Sequence, residues 1–212
     1  MAYTPFNLEG KVALVTGGNR GIGFGFAQAL YDAGAAVAIW GSNEKNNHEA
    51  VEKLGSGAKA WTVNVADEKQ VAEAMVDVVS HFGRVDSVFA NAGIGGGAKS
   101  FAEFPTETYR RVLSVNLDGV FFTLREAAKH MIERAKAGDP GGSLVGLASL
   151  AAIEGAAKNE AYAATKGAVV SMIKSIAVEH ARYGIRANSI LPGWIATDMT
   201  QGAQDSTAFA EK

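Results

Sequence analysis

KVALVTGGNRGIG, residues 11–23, is the stretch of sequence that decides the fold. Its first part, Lys11 to Thr16, is a short apolar run with two valines, which is typical of a buried strand. Glycines follow at once, and the segment from Phe24 to Ala33 has helical composition and precedes Gly34, a suitable C-cap. This order favours phosphate binding, because a helix N-terminus offers free N–H groups and glycines let a pyrophosphate approach. Glycine is frequent here, with 25 residues, so the turn taken alone could also be an ordinary one.

Strand and helix signals alternate along the rest of the chain, which predicts βαβ units. We expect further strands at 36–40, 58–65, 85–90, 143–147 and 186–191, and helices at 44–54, 67–82, 106–134 and 161–183. Asp67 and Gln70 are spaced as a capping box, and Thr106 is the expected cap of the long helix. The fold class is therefore α/β, a doubly wound parallel sheet of the Rossmann type in three layers, with a single domain over residues 1–212.

The composition limits the class of protein. With 212 residues, 48% of them hydrophobic and 20% charged, the chain suits one soluble domain with a sizeable core. A net charge of −2 and no basic run give no indication of nucleic acid or an anionic membrane as a partner. There is no cysteine, as is typical of a cytoplasmic protein, and the four histidines have no ligand spacing, so we expect no metal site.

A second informative pattern is Tyr162 followed four residues later by Lys166. Residues four apart lie on one face of a helix, so the ammonium would stand beside the phenol and favour its ionised form. Such a phenol can pass a proton to or from a carbonyl oxygen, and Ser149, thirteen residues earlier, could hold that oxygen. The pair by itself also occurs on ordinary surface helices, and it gains weight from the dinucleotide turn in the same chain.

Together these motifs resemble the short-chain dehydrogenases/reductases. The glycine turn has the spacing Gly17-x-x-x-Gly21-x-Gly23, which matches that family and differs from the commonest dinucleotide fingerprint. The later family motifs follow in order as Asn91-Ala92-Gly93, Asn116, Ser149, Tyr162, Lys166 and Pro192-Gly193. The resemblance runs from about Leu8 to Met199. Within the family, the chain resembles bacterial 3-oxoacyl-carrier-protein reductases and sugar or polyol dehydrogenases.

The resemblance implies a catalytic group of four residues, Asn116, Ser149, Tyr162 and Lys166. Tyr162 would be the general acid in reduction and the base in oxidation, Lys166 would also bond the nicotinamide ribose, and Ser149 would position the substrate oxygen. Asn116 would hold a water that relays protons between Lys166 and solvent. Asparagine is a poor helix former, so we expect a local break in the helix around it. No metal is needed, because the phenol and the cofactor carry the chemistry.

The resemblance also implies a cofactor site at the carboxyl ends of the strands. The phosphates and the adenosine ribose would lie against the glycine turn, at Gly17, Asn19, Arg20, Gly21, Ile22 and Gly23. The adenine would lie against Asn64 and Val65, and the ribose near the central strand would lie against Asn91, Ala92 and Gly93. The nicotinamide would lie against Pro192, Gly193, Ile195 and Thr197. Most members carry Asp where this chain has Asn64.

The choice of cofactor depends on the residues after the second strand, Gly41, Ser42 and Asn43. Gly41 stands where an acidic residue would bind the ribose of NAD and repel a 2′-phosphate, so nothing excludes that phosphate. Ser42 and Asn43 can donate hydrogen bonds, and Arg20 could add charge-assisted ones. Ser42 stands where NADP-dependent relatives often carry arginine. We therefore favour NADP(H), with NAD(H) as the alternative.

Two helices have more apolar residues than a single core-facing stripe requires, which predicts that they contact another subunit. These residues are Val120, Phe121, Phe122 and Leu124 on the first helix, and Ala164, Ala168, Val169, Met172, Ile173 and Ile176 on the second. The resemblance implies that both helices pair with their copies across a two-fold axis, as a tetramer when complete. The family continues into further helices and a seventh strand, so we expect this chain to lack the last edge strand, to begin a mobile flap at 201–212 and to stop at a dimer.

The sequence thus predicts an oxidoreductase that moves a hydride between NADP(H) and a carbonyl or a secondary alcohol. Its small-molecule substrate would be either a carrier-bound 3-oxoacyl group or a sugar, polyol or cyclic alcohol, selected by the loops Ile94 to Phe104 and Leu150 to Lys158. A nucleotide-binding sensor without turnover is the alternative of another class. The presence of Ser149, Tyr162 and Lys166 together argues against the sensor.

Overall fold

Strands and helices alternate along residues 6–197 and 200, which the computed structural model describes. The strands are β1 (Val12–Thr16), β2 (Ala36–Gly41), β3 (Ala58–Thr62), β4 (Ser87–Ala90), β5 (Gly142–Leu147) and β6 (Ile185–Ile190). The helices are α1 (Gly21–Asp32), α2 (Glu44–Leu54), α3 (Glu68–Phe82), α4 (Thr106–Leu113), α5 (Gly119–Lys136), α6 (Ala151–Glu154) and α7 (Glu160–His180). Every strand pair is parallel, in the order β3-β2-β1-β4-β5-β6. This confirms the doubly wound sheet that the sequence predicts.

Both faces of the sheet are covered by helices. Alternate residues of a strand point to opposite faces, and the core is divided in the same way. Leu14 and Ala38 pack in the larger cluster, with side chains of α3, α5 and α7. Val15, Val37 and Ile39 pack in the smaller one, with side chains of α1 and α2. All five residues of β1 are buried, because a parallel strand between two helical layers has no solvent face.

The strand order reverses between β1 and β4. The chain passes outward from β1 to β2 and β3, and then returns to pair β4 with the other side of β1. The crossovers that leave β1 and β4 therefore depart in opposite directions, which opens a crevice at the carboxyl ends of these two strands. The glycine turn follows β1 and the segment 91–97 follows β4, so both predicted ligand loops border this crevice.

Two strands are shorter than the sequence predicts. β3 ends at Thr62 instead of Val65, because it is an edge strand of the described sheet and its one neighbour, β2, ends at Gly41. The N–H of Val63 still donates to the Gly41 carbonyl (3.1 Å), and the chain then leaves the sheet. β4 begins at Ser87 instead of Val85, whose N–H donates to Nε2 of His130 on α5 (3.1 Å).

Both helix caps singled out in the sequence differ from expectation. Asp67 does cap α3, accepting from the N–H groups of Lys69 and Gln70 (3.0 and 3.1 Å). The reciprocal half of the capping box is missing, since the Gln70 carboxamide oxygen accepts from the Asn64 N–H instead (3.0 Å). Thr106 is the first residue of α4 and not its cap, which is Pro105.

The predicted helix 106–134 is interrupted. A π-helical turn at Ser114–Asp118 separates α4 from α5 and contains Asn116, where the sequence predicts a local break. Such turns insert one residue into the helical ladder and are frequent at functional sites. The turn changes the direction of the side chains that follow, and Asn116 is fully buried beneath the loop after β4.

Four of the apolar residues named on these two helices belong to the core of the subunit. Val120 and Leu124 of α5, and Val169 and Ile173 of α7, are buried in the larger cluster. These four form the core-facing part of the two helices, and Phe121 is exposed. The expected flap at 201–212, and Met199, lie outside the described residues. Within the described part of the chain, no helix has the length and apolar character needed to cross a membrane.

Candidate active site

The glycine turn after β1 fits a dinucleotide pyrophosphate. Gly17 and Gly21 adopt positive φ angles of 63° and 54°, which side-chain-bearing residues rarely adopt. At Gly23, a Cβ atom would lie well inside 3.0 Å of the Gly17 carbonyl oxygen, so the turn closes onto α1 only because this residue has no side chain. The 12-residue helix α1 begins within the turn, so the N–H groups of its first residues are available to an anion.

Thr16 and Asn91 join the glycine turn to the end of β4. The Thr16 hydroxyl accepts from the backbone N–H groups of Asn91 (3.0 Å) and Ala92 (2.9 Å). In return, the Asn91 carboxamide donates to the carbonyls of Thr16 (2.8 Å) and Gly17 (3.3 Å). These bonds bridge the two sides of the crevice and place Gly93 next to the catalytic group.

Lys166 is the most unusual ionisable side chain of the site. It is only 3% exposed, and its Nζ donates to the Leu147 carbonyl at the end of β5 (2.7 Å). Burial lowers the pKa of Lys166 to about 8, because an ammonium loses hydration in the interior. The ammonium is still the main form at pH 7, and it stands 5.4 Å from the ring centre of Tyr162, as the spacing on the helix predicts.

Asn116 links the π turn to the loop after β4. Its Oδ1 accepts from the Ile94 N–H (2.8 Å), and its Nδ2 donates to the Ile94 carbonyl (2.9 Å) and, at a longer distance, to the Thr165 hydroxyl (3.4 Å). A Cβ atom on Gly93 would lie 3.4 Å from both Asn116 Oδ1 and Lys166 Nζ, so all three residues meet at one point. The Asn116 amide is thus occupied by protein groups.

Ser149 lies just past the end of β5, two residues after Leu147, whose carbonyl accepts from Lys166. Its Oγ accepts from the Ala151 N–H (3.2 Å), the first residue of the short helix α6. The next residue, Leu150, donates its N–H to the Pro192 carbonyl after β6 (3.0 Å). Ser149 and Tyr162 are both half-buried.

The loop after β6 approaches the glycine turn from the opposite side. A Cβ atom on Gly21 would lie 3.6 Å from the Thr197 methyl group, which brings the two predicted cofactor segments together. The Thr200 hydroxyl donates to the Ile195 carbonyl (2.7 Å), and the Thr197 N–H donates to that same hydroxyl (3.1 Å). Gly193 is exposed next to Pro192 at the start of this loop.

Most residues predicted to bind the adenosine part of the cofactor are exposed. Arg20, Ser42 and Asn43 are exposed, while Ile22 is partly buried, and the Asn43 side chain caps α2 by accepting from the Asn46 N–H (2.9 Å). Asn64 is exposed in the loop after β3, where its carboxamide oxygen accepts from the Ala66 N–H (3.2 Å). Its neighbour Val65 packs into the larger core cluster.

Three polar residues at the site are not among those predicted from the sequence. Thr16 carries the bridge to Asn91, Thr165 contacts Asn116, and Asn47 bonds Asn19 of the glycine turn (2.7 Å). Thr16 could have been found from the sequence, because it is a polar residue at the end of an apolar strand. Thr165 could have been found because it lies between Tyr162 and Lys166. No local signal marks Asn47, whose partner is 28 residues away.

Comparison with known proteins identifies the family. The sequence model of the short chain dehydrogenases matches residues 11–208. The chain belongs to the short-chain dehydrogenase family. Its members couple a nicotinamide cofactor to an alcohol or a carbonyl group, so this short-chain dehydrogenase is an NAD(P)-dependent oxidoreductase.

Similar members of the family differ in substrate and cofactor. Acetoacetyl-CoA reductase from a Synechocystis species is 39% identical, over 91% of this chain and 75% of the relative. The structure of 3-ketoacyl-(acyl-carrier-protein) reductase from Brucella melitensis, complexed with NADH, superposes with a TM-score of 0.88 at 32% identity and covers 92% of this chain and 80% of its own. Gluconate 5-dehydrogenase from Burkholderia cenocepacia, in complex with NADP and tartrate, gives 0.90 at 34% identity, with coverages of 97% and 80%.

The buried ammonium makes stability depend on pH. Lys166 has a pKa lowered from 10.5 to about 8 in the folded state, so the unfolded chain binds the extra proton between these pH values. The stability of the wild type relative to Lys166→Met should therefore increase as the pH rises from 8 towards 10.5, by about 3 kcal/mol in total. Denaturant unfolding at several pH values measures this, with Lys174→Met, an exposed lysine of α7, as the control. A difference that stays constant with pH would show that Lys166 is not desolvated.

Proposed function

We propose that this short-chain dehydrogenase reduces the 3-oxo group of an acyl thioester with NADPH. The observation that carries the proposal is the buried Lys166 ammonium, held by the Leu147 carbonyl beside the Tyr162 ring, across the crevice from a glycine turn shaped for a pyrophosphate. A lysine buried without a carboxylate partner is costly for the fold alone. Its position is explained by a proton-transferring phenol next to it.

The cofactor supplies the hydride for reduction when it is bound. In the same step the Tyr162 hydroxyl donates its proton to the carbonyl oxygen, and the Ser149 hydroxyl donates a hydrogen bond that holds this oxygen in place. Lys166 stabilises the phenolate that remains, because an ammonium close to a phenolate favours the ionised form. Since Ile94 and Thr165 occupy the Asn116 amide, a relay water would bind the backbone of the π turn at 114–118.

NADP(H) is the cofactor that the end of β2 favours. Gly41 provides no carboxylate that would repel a 2′-phosphate, Ser42 is exposed directly after it in the chain, and Arg20 is exposed in the glycine turn. Arg20 can make charge-assisted hydrogen bonds to a 2′-phosphate, and these are stronger than its hydrogen bonds to a neutral ribose hydroxyl would be. NAD(H) remains the competing cofactor, since the similar structures include an NADH complex and an NADP complex.

Exposed apolar side chains on the segments that follow β5 and β6 favour an acyl substrate over a sugar. Ile153 on α6 is 74% exposed and follows Ser149 closely, while Trp194, 67% exposed, and Ile195 lie on the loop after β6. Large apolar side chains exposed around a polar catalytic group are typical of a binding site for an apolar ligand. The likeness to gluconate 5-dehydrogenase supports the second candidate, the oxidation of a sugar acid or polyol.

Removal of the Tyr162 hydroxyl should separate chemistry from binding. Tyr162→Phe should lower kcat for acetoacetyl-CoA with NADPH by at least about a hundredfold, because only the transferable proton is lost. NADPH affinity, measured by fluorescence titration, should be nearly unchanged. Tyr109→Phe, at an exposed tyrosine of α4, is the matched control. Comparable turnover in Tyr162→Phe would exclude this tyrosine as the general acid.

Substrate preference should follow acyl chain length. Each methylene that packs on the exposed apolar side chains after β5 and β6 should raise kcat/KM by about fourfold, since burial of one CH₂ is worth about 0.8 kcal/mol. Ile153→Ser should weaken this dependence, and Val178→Ser, an exposed site on α7, should not. Steady-state rates with 3-oxoacyl thioesters of increasing length test this, alongside gluconate and a polyol with NADP. Faster turnover of the sugar acid or the polyol would establish the second candidate.

A second copy of the chain is the proposed partner. Between α5 and α7 lies an open groove of about 260 Å³, whose apolar lining includes Phe121, Ile132 and Ile176. The Arg125 guanidinium lies over the Phe121 ring, 5.1 Å from its centre, so this ring is exposed but ordered by a cation–π contact. Helices with an apolar groove of this kind can pair with their own copy about a two-fold axis.

Light scattering tests the assembly. The wild type should have twice the chain mass of 22.1 kDa. Phe121→Arg should shift the protein towards the monomer, because the introduced guanidinium would be buried in the interface without a charged partner. Val76→Arg, an equivalent change on the exposed face of α3, should leave the mass unchanged. A wild type that is monomeric at all concentrations would show that the groove does not mediate pairing.

A further inference from the structure

Asn47 is a buried polar residue that connects three segments at the adenosine end. It lies on α2 and is 4% exposed. Its Oδ1 accepts from Nδ2 of Asn19 in the glycine turn (2.7 Å). Its Nδ2 donates to the Gly41 carbonyl at the end of β2 (3.0 Å) and, at longer range, to the Trp61 carbonyl in β3 (3.3 Å). The carboxamide thus ties the glycine turn to two strand ends.

The same two amides fill the space in front of Gly41. A Cβ atom on Gly41 would lie well inside 3.0 Å of both Nδ2 of Asn19 and Oδ1 of Asn47, closer than any real Cβ contact. Both contacts involve the two atoms that hydrogen-bond to each other. A side chain at position 41 therefore requires the Asn19–Asn47 bond to break, and not only a small shift of one residue.

We propose that Asn47 is a specificity-determining positioning residue of the nucleotide site. With Asn19 it forms what we call the amide latch, defined as the Asn19–Asn47 pair. The amide latch occupies the space that a carboxylate at position 41 would need in order to exclude a 2′-phosphate. It also holds Asn19 of the glycine turn beside that position. The inference rests on the proposed use of NADP(H) and deepens it.

The geometry argues that the latch is more than a structural tie. A buried carboxamide needs its donors and acceptor satisfied, and Asn47 meets this requirement with partners from the glycine turn, β2 and β3. A hydrogen bond between two carboxamides places neutral groups where a cofactor-discriminating acid would introduce a charge. The loss of Asn47 should therefore affect the ligand with a 2′-phosphate more than the ligand without one.

A double-mutant cycle tests the inference. The four proteins are the wild type, Gly41→Asp, Asn47→Ala and the double variant, and Asn46→Ala on the same helix is the matched control. For each, NADPH and NADH dissociation constants are measured by titration of nicotinamide fluorescence, and the thermal midpoint is recorded. This readout needs no substrate, so it is independent of the acyl-thioester proposal.

Asn47→Ala should weaken NADPH binding by about tenfold and NADH binding by less, because Asn19 loses the hydrogen bond that holds it beside position 41. Gly41→Asp alone should lose NADPH affinity and thermal stability without a gain for NADH. In the double variant, Asn19 is released and can turn away, so the new carboxylate fits. This variant should bind NADH at least about tenfold more tightly than Gly41→Asp does, which is a non-additive outcome.

Three results would overturn the inference and leave the proposed function intact. The first is a cycle that is additive within about twofold for both cofactors. The second is Gly41→Asp binding NADH as tightly as the double variant with an unchanged thermal midpoint. The third is an Asn47→Ala protein whose ratio of NADPH to NADH dissociation constants equals that of Asn46→Ala. This result can be obtained even if Gly41→Asp does not fold. Failure of the wild type to bind NADPH would instead overturn the proposed cofactor, and the inference with it.

Discussion

The hydrogen bonds between Thr16 and Asn91 are the constraint on which the site depends. A parallel sheet covered on both faces leaves only its strand ends for ligands, and here the two central strands end side by side. The Thr16 hydroxyl accepts two N–H groups of the chain leaving β4, and the Asn91 carboxamide returns two bonds to the chain leaving β1. This exchange sets the position of the glycine turn relative to Gly93, and therefore the distance between the nucleotide half and the catalytic half.

The catalytic half is held mainly by bonds from side chains to backbone groups. Lys166 donates to Leu147, and Asn116 exchanges two bonds with Ile94, so neither depends on a flexible side chain for its position. The π turn is the local departure from helical geometry that lets a fully buried asparagine face the loop after β4. Burial lowers the pKa of the Lys166 ammonium to about 8, since the Leu147 carbonyl replaces only part of the hydration that the ammonium loses.

The loops on the substrate side are also tied together, although they are far apart in sequence. The Asn159 side chain accepts from the Gly96 N–H (3.1 Å), and the Ala98 N–H donates to the Lys158 carbonyl (2.9 Å). Asn159 directly precedes α7, so the loop after β4 is anchored to the start of the helix that carries Tyr162. The loop after β4 and the start of α7 are thus coupled, while the Asn19–Asn47 pair lies at the end of β2.

The sequence by itself determined the doubly wound parallel sheet, the glycine turn after β1 and the pairing of Tyr162 with Lys166, because these follow from the alternation of strand and helix signals and from spacing within single elements. It also predicted a break at Asn116, from the poor helix propensity of asparagine. It was wrong about the ends of β3 and β4, each of which depends on a neighbour that is remote in the chain, and about the Thr106 cap, since α4 begins at Thr106 and Pro105 takes the cap position. Only the tertiary structure decided that Thr16 joins the two halves and that Asn47 fills the space before Gly41, since such contacts depend on how separate elements orient their side chains, and a local pattern carries no record of that.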